Sequence, residues 1–166
     1  SVATLAFEYH PESPVPHAIT RHADKDAAGK YKASATIDTI LFTDGLKRVL
    51  QTKKDASVLD GNASAPQNRM IVSGQVTFDA FGRTTAQRYP TTEPKAADTV
   101  NGVFNTVADS EPPTVTAYDI LDRVTRTTLP DSSVTTLGYR LAPDRTGTTQ
   151  FETLVKDANV NAGQKG

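Results

Sequence analysis

One short pattern recurs three times and constrains the fold more than any other feature of the sequence. The pattern is Asp-x-Φ-x-Arg, where Φ is Leu or Phe, and it begins at Asp44, Asp79 and Asp119. Successive copies start 35 and 40 residues apart, within the range of structural repeats that stack on one another. Because one such unit cannot bury a hydrophobic face alone, the chain is predicted to be an array of small repeated units.

The composition predicts that these units are β-hairpins. Thr is the commonest residue with 24 copies, and Val and Ile add 14 and 5, against 10 Leu. β-branched side chains pack well on pleated sheets and lose rotamer freedom in helices. Ten Gly and ten Pro interrupt the chain, and no long stretch has apolar residues at helical spacing. The predicted fold is therefore all-β, made of stacked antiparallel hairpins.

Each copy of the motif has parts with a predicted role. The Asp carboxylate accepts backbone N–H groups at the turn, the Φ residue folds back onto the core, and the Arg pairs with the Asp or covers an aromatic ring. The residue before Arg needs a positive φ, which Gly82 supplies; Lys47 stands there in the first copy, so that turn is predicted to differ and to use Gly45. The motif residues are Phe42, Asp44, Leu46 and Arg48; Phe78, Asp79, Phe81, Gly82 and Arg83; and Tyr118, Asp119, Leu121 and Arg123.

Alternation and turn residues predict ten strands and one unit over residues 1–166. A domain boundary is expected only within 90–113, the longest irregular stretch, which contains Gly102 and Phe104. Phe42, Phe78, Phe81, Tyr118 and Leu121 are expected to be buried. The predicted strands are Thr4–Tyr9, Ala18–His22, Ala35–Thr43, Arg48–Lys54, Met70–Phe78, Arg83–Tyr89, Val115–Tyr118, Arg123–Leu129, Val134–Leu141 and Thr148–Lys156.

The motif resembles the YD repeat of the Rhs family, whose consensus is Tyr-Asp-x-x-Gly-Arg followed by Val or Leu. The residues that carry the resemblance are 78–83 (FDAFGR) and 118–124 (YDILDRV). Residues 42–55 (FTDGLKRVLQTKKD) resemble the variant of Rhs-repeat proteins related to the B component of insecticidal toxin complexes. The resemblance covers Ile40–Tyr139. It departs from the family at Lys47 and Asp122, which stand where the consensus has Gly before Arg, and at Ser132, which stands where Gly is expected after a strand-end turn at residues 129–131.

The resemblance implies a structural role. Rhs and YD repeats form a β-sheet that curves into a shell, which in bacterial toxins encloses a toxin or effector region. The chain is then expected to be a non-enzymatic segment of a large bacterial protein that is secreted or associated with the cell surface or wall. Its expected partners are neighbouring repeats and the toxin cargo, and an isolated segment with open edges is expected to pair edge to edge into dimers.

Composition and motifs exclude several other classes. A net charge of −1 and a pI near 6.3 give no nucleic-acid footprint, and no apolar run of 18 residues predicts a membrane span. Ser1–His10 lacks the pattern of a signal peptide, and zero Cys excludes disulfides and thiolate sites. The spacing of His10, His17 and His22 matches no metal-ligand pattern, and no catalytic or phosphate-binding motif occurs. No catalytic, cofactor-binding or metal-binding residue is therefore predicted.

Two alternatives remain open at the level of sequence. The first is a carbohydrate-binding or cell-surface adhesion module, in which the repeated Asp and Arg side chains hold a cell-surface glycan. The second is a β-rich hydrolase whose site lies in the 90–113 loop.

Lys53, Lys54 and Arg69 are interpreted as a solvated strand edge rather than a phosphate site.

Overall fold

A computed structural model describes residues 3–59, 61, 64–96, 102–106 and 111–161. By internal contacts the chain divides into two compact units. Unit 1 comprises Ser1–Val76 and Tyr89–Asp109, and unit 2 comprises Thr77–Arg88 and Ser110–Gly166. Each unit is built around one six-stranded antiparallel sheet, which confirms the all-β class. The extent of the domains, predicted as one repeat fragment, stays a prediction.

The sheet of unit 1 has the strand order β1-β2-β3-β4-β5-β8. The first five strands follow one another as antiparallel neighbours, because each is joined to the next by a turn or a short loop. The sixth strand comes back from later in the chain and pairs with β5. The strands are β1 (Leu5–His10), β2 (His17–Lys25), β3 (Tyr31–Thr43), β4 (Val49–Val58), β5 (Gln67–Val72) and β8 (Thr91–Pro94).

One face of this sheet carries the core. Side chains alternate between the two faces of a strand, so residues 17, 19 and 21 of β2 share a face, as do residues 38, 40 and 42 of β3. The register aligns Ile19, Ile40, Lys53 and Val72 across four strands on that face. The fully buried apolar residues are Ile19, Ile40, Phe42, Met70 and Val72.

The sheet of unit 2 has the order β12-β11-β10-β9-β7-β6. Among the described residues of this unit none is buried, and side chains are half-buried or exposed throughout. A four-residue helix, α1 (Ala158–Asn161), follows the last strand. The strands are β6 (Val76–Phe78), β7 (Thr84–Gln87), β9 (Thr114–Tyr118), β10 (Val124–Thr128), β11 (Val134–Pro143) and β12 (Thr149–Lys156).

Two predicted elements differ in the structure. The strand predicted over Met70–Phe78 is two strands, β5 and β6, which belong to different sheets. Beyond the end of β5, the backbone N–H of Ser73 donates to the carbonyl of Thr52 at 2.8 Å. The Oγ of Ser73, instead of a backbone carbonyl, accepts the N–H of Thr52 at 2.8 Å. The stretch predicted as irregular, 90–113, begins with strand β8. Residues 97–101 and 107–110 of that stretch lie outside the described residues.

The interpretation of Lys53 as a solvated edge residue is wrong. Strand β4 lies inside the sheet, and Lys53 is only 1% exposed. Its Nζ lies 2.6 Å from Oε1 of Glu93 and donates to the carbonyl of Val103. The buried ammonium is thus neutralised and hydrogen-bonded, which is the condition under which a charge is tolerated in a core. Lys54 points to the other face and is exposed.

Candidate functional site

The three motif copies fold into the same turn. In the second copy Asp79 N–H donates to the Arg83 carbonyl at 3.0 Å, and Gly82 N–H donates to the Asp79 carbonyl at 3.0 Å. Asp79 Oδ1 then accepts the N–H groups of Phe81 and Arg83, both at 2.9 Å. The carboxylate thereby satisfies two backbone N–H groups of the turn. The copies at Asp44 and Asp119 have the same four bonds.

The second carboxylate oxygen binds the motif arginine. The Nε of Arg48, Arg83 and Arg123 lies 2.6, 2.7 and 2.7 Å from Oδ2 of the Asp four residues earlier. Each Asp therefore bonds on one oxygen to the backbone and on the other to a guanidinium. The sequence prediction that Arg pairs with Asp is correct at all three turns.

The prediction that the first turn uses Gly45 is wrong. Lys47 itself has a φ of 62°, at the same position where Gly82 has 83° and Asp122 has 60°. The left-handed conformation is unfavourable for Lys. The bonds from Asp44 and Arg48 nevertheless hold the turn in the shared conformation, so the flanking motif residues override the local preference of this one residue.

Two further turns of this kind were missed. Asp26 and Asp144 accept the same pairs of backbone N–H groups, and Gly29 and Gly147 take the positive φ. Neither has Arg at the fifth position, where Lys30 and Thr148 stand, so neither matches Asp-x-Φ-x-Arg. The signal that would have found them is Asp-x-x-Gly between alternating strands.

The prediction that the Φ residue folds back onto the core is wrong. Phe81 is 81% exposed, and Leu46 and Leu121 are 72% and 65% exposed. The third residue of the turn therefore lies exposed at the tip, and no described residue of the chain buries it. Of the aromatic residues that precede the motif, Phe42 is fully buried as predicted, whereas Phe78 and Tyr118 are half-buried.

In unit 2 the motif also joins one hairpin to the next. The guanidinium of Arg83 lies 4.9 Å from the ring centre of Tyr118, on the neighbouring hairpin. Tyr118 in turn donates its hydroxyl to the carbonyl of Thr84, the residue after Arg83, at 2.9 Å. Arg83 further donates to Oδ1 of Asp122 at 2.8 Å. Together these contacts tie turn to turn along the end of the sheet.

The same joint repeats one hairpin further on. The guanidinium of Arg123 lies 4.3 Å from the ring centre of Tyr139, which donates its hydroxyl to the carbonyl of Val124 at 2.8 Å. We call these two sets, Arg83–Thr84–Tyr118 and Arg123–Val124–Tyr139, the arginine–tyrosine ladder. Tyr139 was not predicted to be part of it, because it lies five residues before Asp144 rather than directly before an Asp.

The aspartates of the three motif copies are held as anions. Partial burial raises the pKa of Asp79, but the backbone N–H and the guanidinium of Arg83 outweigh it, so that the pKa lies below its usual value. The same balance, with Arg48 and Arg123, lowers the pKa values of Asp44 and Asp119. The hydrogen bond and charge of Asp79 raise the pKa of Arg83. The motif is therefore a set of ion pairs that is complete at neutral pH.

In unit 1 residues 102–106, which we call the strap, cover the core face. Phe104 packs edge-on against Phe42 with ring centres 5.2 Å apart. Gln51 and the backbone of Asn105 exchange two hydrogen bonds of 3.1 Å, while Lys53 donates to the strap at Val103. Within unit 1 the strap thus covers both the apolar part of the core, at Phe42, and its polar part, at Gln51 and Lys53.

A cavity of about 640 Å³ also lies in unit 1. Its charged lining consists of pairs: Arg21 lies 3.3 Å from Asp38, Lys95 contacts Asp55, and Lys32 lies 2.5 Å from Asp24. Acidic and basic groups therefore neutralise one another across the wall. The cavity is therefore a polar cleft whose charged side chains are paired with one another.

The histidines do not form a metal site in the described part of the chain. His10 and His17 stack with ring centres 4.7 Å apart, and His17 Nδ1 lies 3.1 Å from the carbonyl of Val15. Over residues 3–59, 61, 64–96, 102–106 and 111–161, no group of three or more His, Asp or Glu side chains is placed to hold a metal ion. In the same ranges no helix is long and apolar enough to cross a membrane.

Comparison with solved structures gives the fold a precedent. The chain is similar to part of a TcdB2–TccC3 crystal structure, with a TM-score of 0.64 and 17% identity over 96% of this chain. It is also similar to part of a Tc holotoxin pore of Photorhabdus luminescens that carries mutant TccC3, with a TM-score of 0.58 and 17% identity over 89% of this chain. The chain spans only 8% and 7% of those chains. No family model matches it, and no curated protein does either.

Proposed function

We propose that this chain is a non-enzymatic segment of a β-sheet wall in a large exported bacterial protein of the Rhs-repeat, toxin-complex kind, and that the wall encloses a toxin or effector region. The observation that carries the proposal is the arginine–tyrosine ladder. Arg83 and Arg123 each bind their own turn and also contact the next hairpin, so in unit 2 the motif serves to join repeats.

No residue in the described part of unit 2 is buried, and this supports the same role. A single layer with both faces open gains little from apolar burial alone, and its strands depend on neighbours. Such a sheet suits a wall in which every hairpin is held by the one before and the one after. The likeness to TcdB2–TccC3 and to a Tc holotoxin pore with mutant TccC3 supports that kind of assembly.

The carbohydrate-binding alternative has less support at the motif residues. Both oxygens of Asp44, Asp79 and Asp119 already accept hydrogen bonds within the chain. A glycan at these positions would have to displace the bonds that form the turns. The hydrolase alternative placed its site in the 90–113 loop, whose described strap residues pack onto the core through Phe104.

The first test reads the coding sequence on both sides of this segment. Further Asp-x-Φ-x-Arg units on either side are expected, and a parent without them would contradict the wall.

The second test uses the full parent protein and limited proteolysis. The wild-type parent is expected to contain a region resistant to protease while the wall is closed. Arg83→Ala combined with Arg123→Ala should make that region sensitive, since two joints between hairpins are lost. Tyr9→Phe, an exposed change outside the ladder, is the matched control and should keep the resistance. A parent with no protected region, or protection that survives the double change, would count against the proposal.

A further inference from the structure

The sheet of unit 1 has one face that carries the core and a second face, which we call the open face. Successive residues of a strand point to opposite faces, so Phe7 and Tyr9 lie on the open face, away from Ile19 and Ile40. A group of large apolar side chains exposed together is typical of a binding surface. Those exposed on the open face are Leu5, Phe7, Tyr9, Ile37, Leu41 and Ile71.

The charged groups of this sheet are divided between its two faces. Among the described positions that the register pairs, the carboxylates lie on the core face: Glu8, Asp38, Asp55 and Glu93. The open face has Lys54 and Arg69 instead. Lys54 pairs with Ile71, two residues after Arg69, so the two cations are diagonal neighbours with Cα atoms about 7–8 Å apart. Like charges this close repel each other, so an anion bound between them is favourable.

One row across the open face combines an aromatic ring, hydroxyl groups and a cation. Its members lie directly opposite one another on the first four strands: Phe7, Thr20, Thr39 and Lys54. Because neighbouring strands are about 4.8 Å apart, the two ends of the row are separated by about 14 Å. Tyr9 adds a second exposed ring on the strand of Phe7, and Arg69 adds a second cation near Lys54. The row is therefore aromatic at one end, hydroxyl-lined in the middle and basic at the other end.

We propose that this row binds an acidic polysaccharide, a chain of sugar rings that carries carboxylates. A pyranose ring has an apolar C–H face, which packs against an exposed aromatic side chain and leaves water. Sugar hydroxyls exchange hydrogen bonds with Thr20 and Thr39, since a hydroxyl is both donor and acceptor. The carboxylate of a uronic acid unit lies between Lys54 and Arg69, whose ammonium and guanidinium groups form charge-assisted hydrogen bonds with it.

The charges disfavour two other occupants of a flat face that is both aromatic and basic. Single-stranded nucleic acid also stacks on aromatic rings, but its phosphates need a groove with many cations. The register-paired positions described on this face supply only Lys54 and Arg69, in a chain whose net charge is −1. A second copy of the chain, packed face to face, would bring these cations against their own equivalents without a carboxylate between them.

The site is separate from the turns of the motif and from the edges of the sheet. Neighbouring repeats of a wall pair with edge strands along the hydrogen-bonding direction, which leaves the faces of the sheet open. The inference goes beyond the proposed wall and does not depend on it, because a chain that binds no polysaccharide would leave the wall proposal standing.

Nuclear magnetic resonance of the isotope-labelled 166-residue chain, titrated with an oligogalacturonate, tests the proposal. Amide signals around the row should shift, with a dissociation constant on the order of 0.1–1 mM, as expected for a few surface contacts. Phe7→Ala and Lys54→Gln should each weaken binding about threefold or more, because one removes the stacked ring and the other the charged donor. Phe81→Ala and Arg145→Ala, which change an exposed ring and an exposed cation of unit 2, should bind as the wild type does.

Two further ligands separate the contribution of the ring from that of the charge. A malto-oligosaccharide of the same length has no carboxylate, and polyphosphate has no sugar ring, so each should bind about threefold or more weakly than the oligogalacturonate. The proposal is overturned if the oligogalacturonate does not bind at about 10 mM, if either control ligand binds as tightly, or if the shifts map to another surface. It is equally overturned if Phe7→Ala or Lys54→Gln, with the spectrum of the free protein otherwise unchanged, binds as tightly as the wild type.

Discussion

Units 1 and 2 are both six-stranded antiparallel sheets, yet their side chains are distributed in opposite ways. Unit 1 buries Phe42 and Ile40 completely and covers one face with the strap. Unit 2 buries no described residue, and its hairpins are joined by ion pairs, stacked guanidinium groups and tyrosine hydroxyls. Apolar burial therefore dominates in the first unit, and the repeated motif dominates in the second.

The comparison shows that one motif serves two settings. The turn at Asp44 in unit 1 has the same bonds as the turns at Asp79 and Asp119 in unit 2. What differs is the surroundings, since the aromatic before the first Asp is Phe42, in the core, and the aromatic before the third is Tyr118, in the ladder. The motif fixes the turn, and the aromatic residue decides how the hairpin is attached.

The largest effect is expected from Phe42→Ala in the core of unit 1. Truncating a fully buried aromatic side chain removes its transfer energy and leaves a cavity, which costs about 3–5 kcal/mol. Hydrogen exchange measured by mass spectrometry should show unit 1 losing most of its protection while unit 2 changes little. Phe7→Ala, at an exposed aromatic in the same sheet, is the control. Equal loss of protection in both units would show that the stability of unit 2 also depends on the apolar core of unit 1.

The next effect is expected from Gly102→Ala in the strap. Gly102 has a φ of 86°, and a Cβ there would overlap the imidazole of His17. The left-handed conformation alone costs about 1–2 kcal/mol for a residue with a side chain, and the overlap adds to it. Exchange of the strap amides should rise before that of the core strands. Gly45→Ala, in open space without a positive φ, should leave exchange unchanged; a strap that stays protected in Gly102→Ala would contradict its closed packing.

The sequence predicted the all-β class and the pairing of Asp with Arg because both follow from local chemistry. A turn carboxylate four residues from an arginine can bond to it without help from the rest of the fold. The prediction was wrong where a distant segment decides the outcome. Lys53 is buried because Glu93 and the strap lie over it, and both come at least 40 residues later.

The burial of turn-tip residues was mispredicted for a different reason. Phe81 and Leu121 are apolar, so their burial was expected, but both lie exposed at turn tips, and no described part of the chain covers them. Tyr139 was missed because its role depends on which residue of the neighbouring strand it reaches, and a local motif does not reveal that. Lys47 was misjudged because residue preference is weaker than the bonds of the complete turn.

A moderate effect is expected from Tyr139→Phe in the ladder of unit 2. The change removes the hydroxyl that donates to the carbonyl of Val124 and keeps the ring beneath Arg123. The loss of one such hydrogen bond costs about 0.5–1.5 kcal/mol. Urea unfolding measures this loss of stability, and hydrogen exchange of β10 and β11 shows where it occurs. Tyr9→Phe, on an exposed residue of unit 1, serves as the control. Unchanged exchange in unit 2 would mean that the ladder does not join the hairpins.

Acid should loosen unit 2 before unit 1, because unit 1 keeps its buried apolar core when its own carboxylates, such as Asp44, are protonated. The pKa values of Asp79 and Asp119 are lowered in the fold, so their contribution to stability is present above the unfolded value of about 3.9 and is lost as the pH falls through the lowered folded values. Urea unfolding at pH 6 and at pH 3 measures the loss of stability, and hydrogen exchange at the same two pH values shows how much each unit loses. Asp79→Asn/Asp119→Asn should lower stability at pH 6 and reduce the loss on acidification. A double variant that loses as much stability as the wild type would show that other carboxylates are responsible.

The smallest effect is expected from Phe81→Ser at the tip of the second turn. The side chain is 81% exposed, and its contact in the described chain is with the guanidinium of Arg83, 5.0 Å from the ring centre. An exposed contact of this kind is worth about 0.5–1 kcal/mol, so the free energy of unfolding should fall by no more than that. The same change at Phe42 would remove a core residue, and the contrast between the two phenylalanines measures directly how far the units differ. A loss above about 2 kcal/mol at Phe81 would mean that the turn tip is covered in solution, since surface substitutions rarely reach that size.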